Sequence, residues 1–313
     1  MDHARPTVHI VSAAIGEGAR DAGCKYGASA LLAAGLAQAL VAAGCEVHAG
    51  TSVTSDPLQA RDRMDTVARF NRALADAVLP LARGGVRSGA QLLVLGGDHS
   101  CAIGSWSGVA QALAPQGRLG LIWVDAHLDA HTPDSSQSHA PHGMPLAALL
   151  GHGSPAFTQL FGWSGKIRPQ DLVIIGARSY ESAERQLLES LGVQVIYMEE
   201  VARRGFEACF AQARATVSRG CTGWGVSIDI DGLDPADAPA TGTPVAGGIA
   251  LAQAVAALRG CRGDPRLVAL EIVEYNPLQD FGGQTARAVQ ALAVAGLGTE
   301  IKAGSTALLT PAS

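Results

Sequence analysis

Aromatic side chains are scarce in this chain, at 4% of 313 residues. Stacking platforms of the kind that hold single-stranded nucleic acid have little to be built from. Basic charge is short as well: 23 Lys and Arg stand against 28 Asp and Glu, a net charge of -5. No positive field gathers nucleic acid or anionic lipid. The cysteines (Cys24, Cys45, Cys101, Cys209, Cys221 and Cys261) form no CxxC pair. Scattered thiols predict a reduced, cytoplasmic chain rather than a disulfide framework. No run of about 18 apolar residues offers a membrane span. The first residues, Met1 to Pro6, contain no apolar signal core. Neither a nucleic acid nor a membrane is expected as a partner.

What is present is apolar and small. Hydrophobic residues make up 48% and there are 38 glycines, material for helices packed closely on a sheet. Short apolar runs at 8–13, 46–50, 92–95, 119–125, 171–175, 193–197, 223–230 and 267–273 predict strands. Several lack polar alternation, the mark of strands covered on both faces and hence of a parallel sheet. Helical patterns lie between them, at 28–43, 63–83, 181–191, 205–217, 251–259 and 285–297; in the second, Val67, Phe70, Leu74, Val78 and Leu81 recur at helical spacing. Strands alternating with helices predict βαβ units. With no linker, repeat or low-complexity tract in view, the expectation is one α/β domain over 1–313: a three-layer α/β/α arrangement around a parallel sheet of about eight strands.

In such sheets the chemistry gathers at the carboxyl ends of the strands. Four segments there are rich in polar residues: Gly96-Gly97-Asp98-His99-Ser100, Asp125-Ala126-His127-Leu128-Asp129, Ser227-Ile228-Asp229-Ile230-Asp231 and Glu271-Ile272-Val273-Glu274. In extended backbone, Asp125, His127 and Asp129 point to one side, and Asp229 and Asp231 repeat the pattern. Singly, each fragment also suits a solvated turn, and His99 suits a core histidine. Together they crowd carboxylates, and a pair at about 4 Å costs on the order of 4 kcal/mol at an effective dielectric of 20. Two divalent cations would neutralise Asp125, Asp129, Asp229 and Asp231, with His99 and His127 as nitrogen ligands. An oxygen-rich set with two imidazoles favours Mn²⁺ over a thiolate-seeking metal.

These three metal signatures resemble those of the ureohydrolase (arginase) family. Gly23-Cys24-Lys25-Tyr26-Gly27 is similar to the family's amino-terminal loop, residues 101–108 to the helix after the first signature, and Asp231-Gly232-Leu233-Asp234-Pro235 with Glu274-Tyr275-Asn276-Pro277 to the arginase branch. The resemblance spans nearly the whole chain. It implies two Mn²⁺ per chain, held by His99, Asp125, His127, Asp129, Asp229 and Asp231, and hydrolysis of a guanidino group to urea and an amine by water made acidic between the ions. His142, in Pro141-His142-Gly143, matches the family's His-Gly element, and a pKa near 6.5 suits a proton shuttle. Glu274 would pair with the planar guanidinium, with Thr243 hydrogen-bonding near it, and Asp129 serves both metal and chemistry. A homo-oligomer, trimer or hexamer, is implied too.

The loop that would read the far end of the substrate departs from the family pattern. Arginase-type loops resemble Asn-Thr-Pro…Ser-Gly-Asn-x-His-Gly; here His131 and Ala140 replace the two asparagines and His139 the glycine. Ser136 and Ser138 remain as hydroxyl donors, and Glu181 falls where arginases often carry Asp, facing the α-amino group. His131, Ser136, Ser138, Glu181 and Thr243 are therefore the expected substrate contacts. Three readings stay open: an L-arginine hydrolase, a hydrolase of a related guanidino compound (a guanidino acid, hydroxyarginine or agmatine), and a metal-bound regulator without catalysis.

Overall fold

The computed structural model describes residues 5–299; part of the amino-terminal stretch read above, Met1 to Ala4, lies outside it. Eight strands form one all-parallel sheet: β1 Thr7–Ala14, β2 Glu46–Thr54, β3 Gln91–Leu95, β4 Leu119–Val124, β5 Leu172–Ile175, β6 Gln194–Ile196, β7 Gly223–Asp229 and β8 Leu267–Val273. Their spatial order is β2-β1-β3-β8-β7-β4-β5-β6. The helices are α1 Gly27–Ala33, α2 Leu36–Ala42, α3 Arg63–Ser88, α4 Ala102–Leu113, α5 Pro145–Leu149, α6 Pro155–Thr158, α7 Ser182–Leu191, α8 Met198–Arg204, α9 Phe206–Val217, α10 Leu251–Arg259 and α11 Gln284–Leu297.

Alternating side chains of the sheet feed two cores. Leu93, Leu95, Ile122 and Val124 join residues of α1, α2, α8, α9, α10 and α11 on one face. Leu92, Val94, Leu121 and Trp123 join α3, α4, α5, α6 and α7 on the other. This is the expected three-layer α/β/α arrangement. The inner strands β4, β5 and β7 are buried along their whole length, which is why they read as apolar runs. The edge strand β2 is mostly exposed or half-buried, so its sequence thins to Gly, Thr and Ser.

The helices differ from expectation where local backbone overrides pattern. The helix expected over 28–43 is two, because Gly35 adopts φ 89° between α1 and α2, a left-handed turn that glycine takes without steric cost. The helix expected over 63–83 runs on to Ser88 and ends at Gly89, φ 80°, a common left-handed cap. Helix α4 has no polar stripe because almost every residue in it is buried, so helical periodicity has nothing to show.

The strand order decides where chemistry can occur. β3, β8, β7 and β4 are neighbours in space, so the segments beginning at Gly96, Glu274, Asp229 and Asp125 emerge side by side. After β3 the chain turns at Gly97, whose backbone lies against the residue that follows β1: a Cβ there would sit 1.8 Å from the Ile15 carbonyl oxygen. Its own carbonyl accepts from the Glu274 backbone N–H at 2.8 Å. Only a residue without a side chain fits. Gly97→Ala is therefore expected to cost at least about 1–3 kcal/mol, the usual penalty of overpacking, read as a lower denaturant midpoint. An unchanged midpoint would show that β1 can move aside.

Candidate active site

The six side chains expected as metal ligands meet at the carboxyl ends of these four strands. His99, wholly buried, presents Nδ1 at 3.1 Å from Asp229 Oδ2, 3.1 Å from Asp129 Oδ2 and 3.3 Å from Asp125 Oδ2. His127 Nδ1 lies 3.1 Å from Asp231 Oδ2 and 3.5 Å from Asp125 Oδ1. Two groups emerge, His99–Asp125–Asp229 and Asp125–His127–Asp231, each close enough to grip one cation, and they share Asp125. Its two oxygens face the two imidazoles separately, so one carboxylate can serve both groups.

The carboxylates are costly neighbours, and the protonation preferences show it. Burial, then the nearby charges of Asp231 and Asp125, raise Asp229 well above the carboxylate range. Burial and Asp125 raise Asp129 to about 7. Against burial, hydrogen bonds from His127 and His99 hold Asp125 below its ordinary value. Burial disfavours charge on His127, but Asp231 and Asp125 push it up to about 12. Carboxylates this crowded favour a nearby positive charge, which a divalent cation supplies. The residues fit such an ion: hard oxygen donors with imidazole nitrogens and no thiolate in either group.

A second layer of donors aims these ligands. The His99 ring stacks on Trp123 at 4.0 Å and 5°, and Trp123 Nε1 donates to Asp125 Oδ2 at 2.9 Å. The His127 backbone N–H donates to Asp125 Oδ1 at 2.7 Å, and the Asp231 N–H to Asp229 Oδ1 at 2.8 Å. His99 Nε2 faces Ser227 Oγ at 3.0 Å, and that hydroxyl donates to buried Glu271 at 2.7 Å. Glu271 also takes Trp106 Nε1 at 2.6 Å and the Ser105 hydroxyl. Arg178 holds the neighbouring loops: its guanidinium donates to the carbonyls of Asp231 and Val245 at 2.7 Å each, and to those of Gly176, Gly232, Leu233 and Ala246.

The remaining expected residues fall into three places. His142 Nδ1 pairs with Glu274 Oε1 at 3.1 Å, and the same oxygen accepts from the His99 backbone N–H at 2.9 Å. Glu274 Oε2 lies toward Gly242, where a Cβ would come to 4.0 Å. Thr243 donates to Asp231 Oδ2 at 2.9 Å, so its first partner is a candidate ligand. Ser138, His131, Glu181 and Thr243 line a cleft of about 320 Å³ that also holds His127, Asp129, His142 and Asp231. Ser136 is buried in its loop, its N–H on the Thr132 carbonyl, and does not form part of the cleft wall. A larger cavity of about 500 Å³, near Gln91 and Arg259, contains none of these groups.

His131 is not free. Its Nδ1 faces Ser135 Oγ at 3.1 Å, and its Nε2 lies 3.3 Å from Glu184 and 3.5 Å from Glu181. Glu184, unnoticed in the sequence, also accepts from the backbone of Ala130 at 3.1 Å and of Glu181 at 2.9 Å. Its spacing of three from Glu181 at a helix start is a capping-box signal that reveals it. Glu271 likewise stands out as a charge inside an apolar strand. Ser135 sits in a run of hydroxyl residues with nothing to single it out. Asp129 (φ 48°) and Glu274 (φ 63°) occupy left-handed backbone, which few residues other than glycine adopt without strain.

At the carboxyl end of the parallel sheet, two candidate metal-ligand groups, a histidine–glutamate pair and an adjoining cleft lie together. The sequence model of the arginase family matches residues 6–298. An arginase of Bacillus caldovelox is 42% identical over 229 residues, covering 73% of this chain and 74% of that protein. The crystal structure of Bacillus subtilis arginase superposes with TM-score 0.85 and 34% identity, over 94% of this chain and 99% of that one. Entamoeba histolytica arginase in complex with L-ornithine gives TM-score 0.84 and 28% identity over 94% and 99%. The chain belongs to the arginase family, and it is an amidinohydrolase of the class acting on linear amidines.

The His142–Glu274 pair makes a pH-dependent contribution to the metal-free protein. Burial lowers the His142 pKa, but the hydrogen bond and charge of Glu274 outweigh it and raise it to about 9 from 6.5. A raised pKa gives stability that is complete below 6.5 and disappears as pH rises through about 9. The melting temperature of parent minus His142→Gln, both metal-free, is expected to fall steadily across that window. A flat difference would show that the pair does not hold the proton.

Proposed function

We propose that the chain hydrolyses L-arginine to L-ornithine and urea with two Mn²⁺ ions held by His99, Asp125, His127, Asp129, Asp229 and Asp231. The observation that carries this reading is the pair of three-residue groups sharing Asp125, in a chain whose relatives are arginases. The Entamoeba histolytica enzyme holding L-ornithine supports the assigned product. Bound Mn²⁺ would offset the aspartates and supply an acidified water for attack on the guanidino carbon.

The chain's own groups then divide the work. Glu274 has Oε1 committed to His99 and His142, which leaves Oε2 to accept N–H from the guanidinium and fix its plane. His142 has Nδ1 committed to Glu274, so Nε2 carries the proton that the departing amine needs. Thr243 steadies Asp231 by its hydroxyl. Asp129 lines the cleft beside His142 and acts both as ligand and as a negative wall. Among the described residues no single helix is long and apolar enough to cross a membrane. The family resemblance supports a trimer or hexamer, the scattered thiols without a CxxC pair support a cytoplasmic chain, and a sequence with no linker or repeat supports one domain over 1–313.

A related guanidino compound is the second reading, favoured by His131 and Ala140 in the loop over 131–142. The main test is metal removal and reconstitution. Chelated protein is expected to lose urea release and recover it best with Mn²⁺. Asp231→Ala should bind less metal and lose nearly all turnover. His142→Ala should keep its metal while kcat falls by roughly 10²–10⁴, the weight of a general acid–base group. Full activity after exhaustive chelation would end the two-metal reading.

A further inference from the structure

We infer that Arg63, an exposed residue at the start of α3, is a positioning residue for the His142–Glu274 pair. This rests on the guanidino-hydrolase reading above. His142 stands in a single short turn, Pro141–Gly143, after a stretch over 130–140 that holds no strand or helix. Glu274 fixes its ring, and its backbone needs an anchor of its own. The His142 N–H donates to the Gly18 carbonyl at 3.2 Å. The proton shuttle therefore hangs on the loop over 15–21, which follows β1.

That loop is joined to each segment that builds the pair. Buried Gly18 donates its N–H to Asp98 Oδ2 at 2.7 Å, beside His99, whose own N–H holds Glu274. The Asp98 N–H donates back to the Ile15 carbonyl at 3.0 Å. Gly18 lies so close to this carboxylate that a Cβ would come within 2.1 Å of Asp98 Oδ1. Just beyond Glu274, the side chains of Asn276 and Gln279 donate to Asp21 Oδ2 at 3.0 and 3.1 Å. Yet residues 15–21 contain no strand or helix that would give the loop a shape.

Arg63 supplies that shape. Its guanidinium donates to three successive carbonyls: Nε to Glu17, and Nη2 to Gly18 at 2.7 Å and to Ala19 at 2.8 Å. A carbonyl oxygen has two lone pairs, and at Gly18 one is turned to Arg63 and the other to His142. A guanidinium presents its donors in a fixed plane, where an ammonium is a point charge, so the spacing of the three carbonyls is set as well as their charge matched. Arg63 belongs to neither candidate ligand group and does not line the cleft. Helix α3 is capped by Asp62, which accepts from the Asp65 N–H, so the helix start does not depend on Arg63. Its link to the reaction runs through Gly18 to His142.

The test measures urea release from L-arginine by Mn²⁺-loaded full chains: parent, Arg63→Ala and Arg63→Lys, each with and without His142→Ala. Arg63→Ala is expected to lower kcat by about ten- to a hundredfold, the cost of an ångström-scale misplacement. KM and metal content should change far less. Arg63→Lys, which keeps a donor for the Gly18 carbonyl, should recover part of the loss. In the His142→Ala background, Arg63→Ala should change kcat by less than about twofold, because effects that pass through one residue do not add. Hydrogen–deuterium exchange in the purified protein gives a readout independent of turnover. Peptides spanning 139–146 should exchange at least about tenfold faster in Arg63→Ala, with β4 and β7 unchanged, as a local opening requires. Equal kcat losses in both backgrounds, or unchanged exchange over 139–146, overturn the inference and leave the hydrolase reading standing. No urea from the parent overturns the hydrolase reading, and the exchange measurement still decides whether Arg63 holds His142.

Discussion

The repulsion among four buried aspartates governs this structure. Asp125, Asp129, Asp229 and Asp231 converge on two imidazoles, and two like charges about 4 Å apart cost on the order of 4 kcal/mol at an effective dielectric of 20. Nothing else in the fold asks for that concentration of charge. Many of the polar contacts around it serve to make the crowding tolerable or to aim it. Backbone N–H groups of His127 and Asp231 and the Trp123 indole donate to carboxylates, satisfying lone pairs that burial removes from water.

Around that charge the sheet works as a rigid mount. The six candidate ligands follow three strands, β3, β4 and β7, with Asp229 at a strand's last residue and the others one to five residues beyond, so the sheet fixes where each segment starts. The loops that follow are then pinned. Arg178 gathers carbonyls from Asp231, Gly232, Leu233, Val245 and Ala246 onto one guanidinium, and Asp234 accepts from the N–H groups of Gly247 and Gly248 at 3.0 Å each. A rigid mount tolerates left-handed backbone at Asp129 and Glu274, because the flanking strands over-determine those positions.

Much of this was legible in the sequence, and the reason is physical. Strands buried on both faces must be apolar throughout, so β4, β5 and β7 announce themselves, and polar residues just beyond them stand out by contrast. That contrast located His99, Asp125, His127, Asp129, Asp229, Asp231 and Glu274 together. The loop over 131–142 was less legible, because no periodicity governs a loop. Whether a hydroxyl points to a cleft or into its own turn depends on local bonding: Ser138 lines the cleft while Ser136 does not. His131 was expected as a substrate contact, and it does line the cleft, but its ring nitrogens are engaged by Ser135, Glu184 and Glu181. The break at Gly35 and the extension of α3 to Ser88 were hidden for a similar reason, since a left-handed residue can be supplied at any glycine.

The order of the strands has a consequence for how the molecule comes into being. β3 pairs with β8, and β4 with β7, although each pair is separated by more than half or about a third of the chain. His99 and Asp229, whose side chains touch, are 130 positions apart, and His99 and Glu274 are 175 apart. Contacts of such high order are closed late, after the entropy of large loops has been overcome. The two pairs, Asp125 with Asp129 and Asp229 with Asp231, therefore stay apart along the nascent polypeptide, where water solvates each carboxylate, and the repulsion between the pairs arises only when the central strands come together. Assembly of the sheet and assembly of the charged centre are one event.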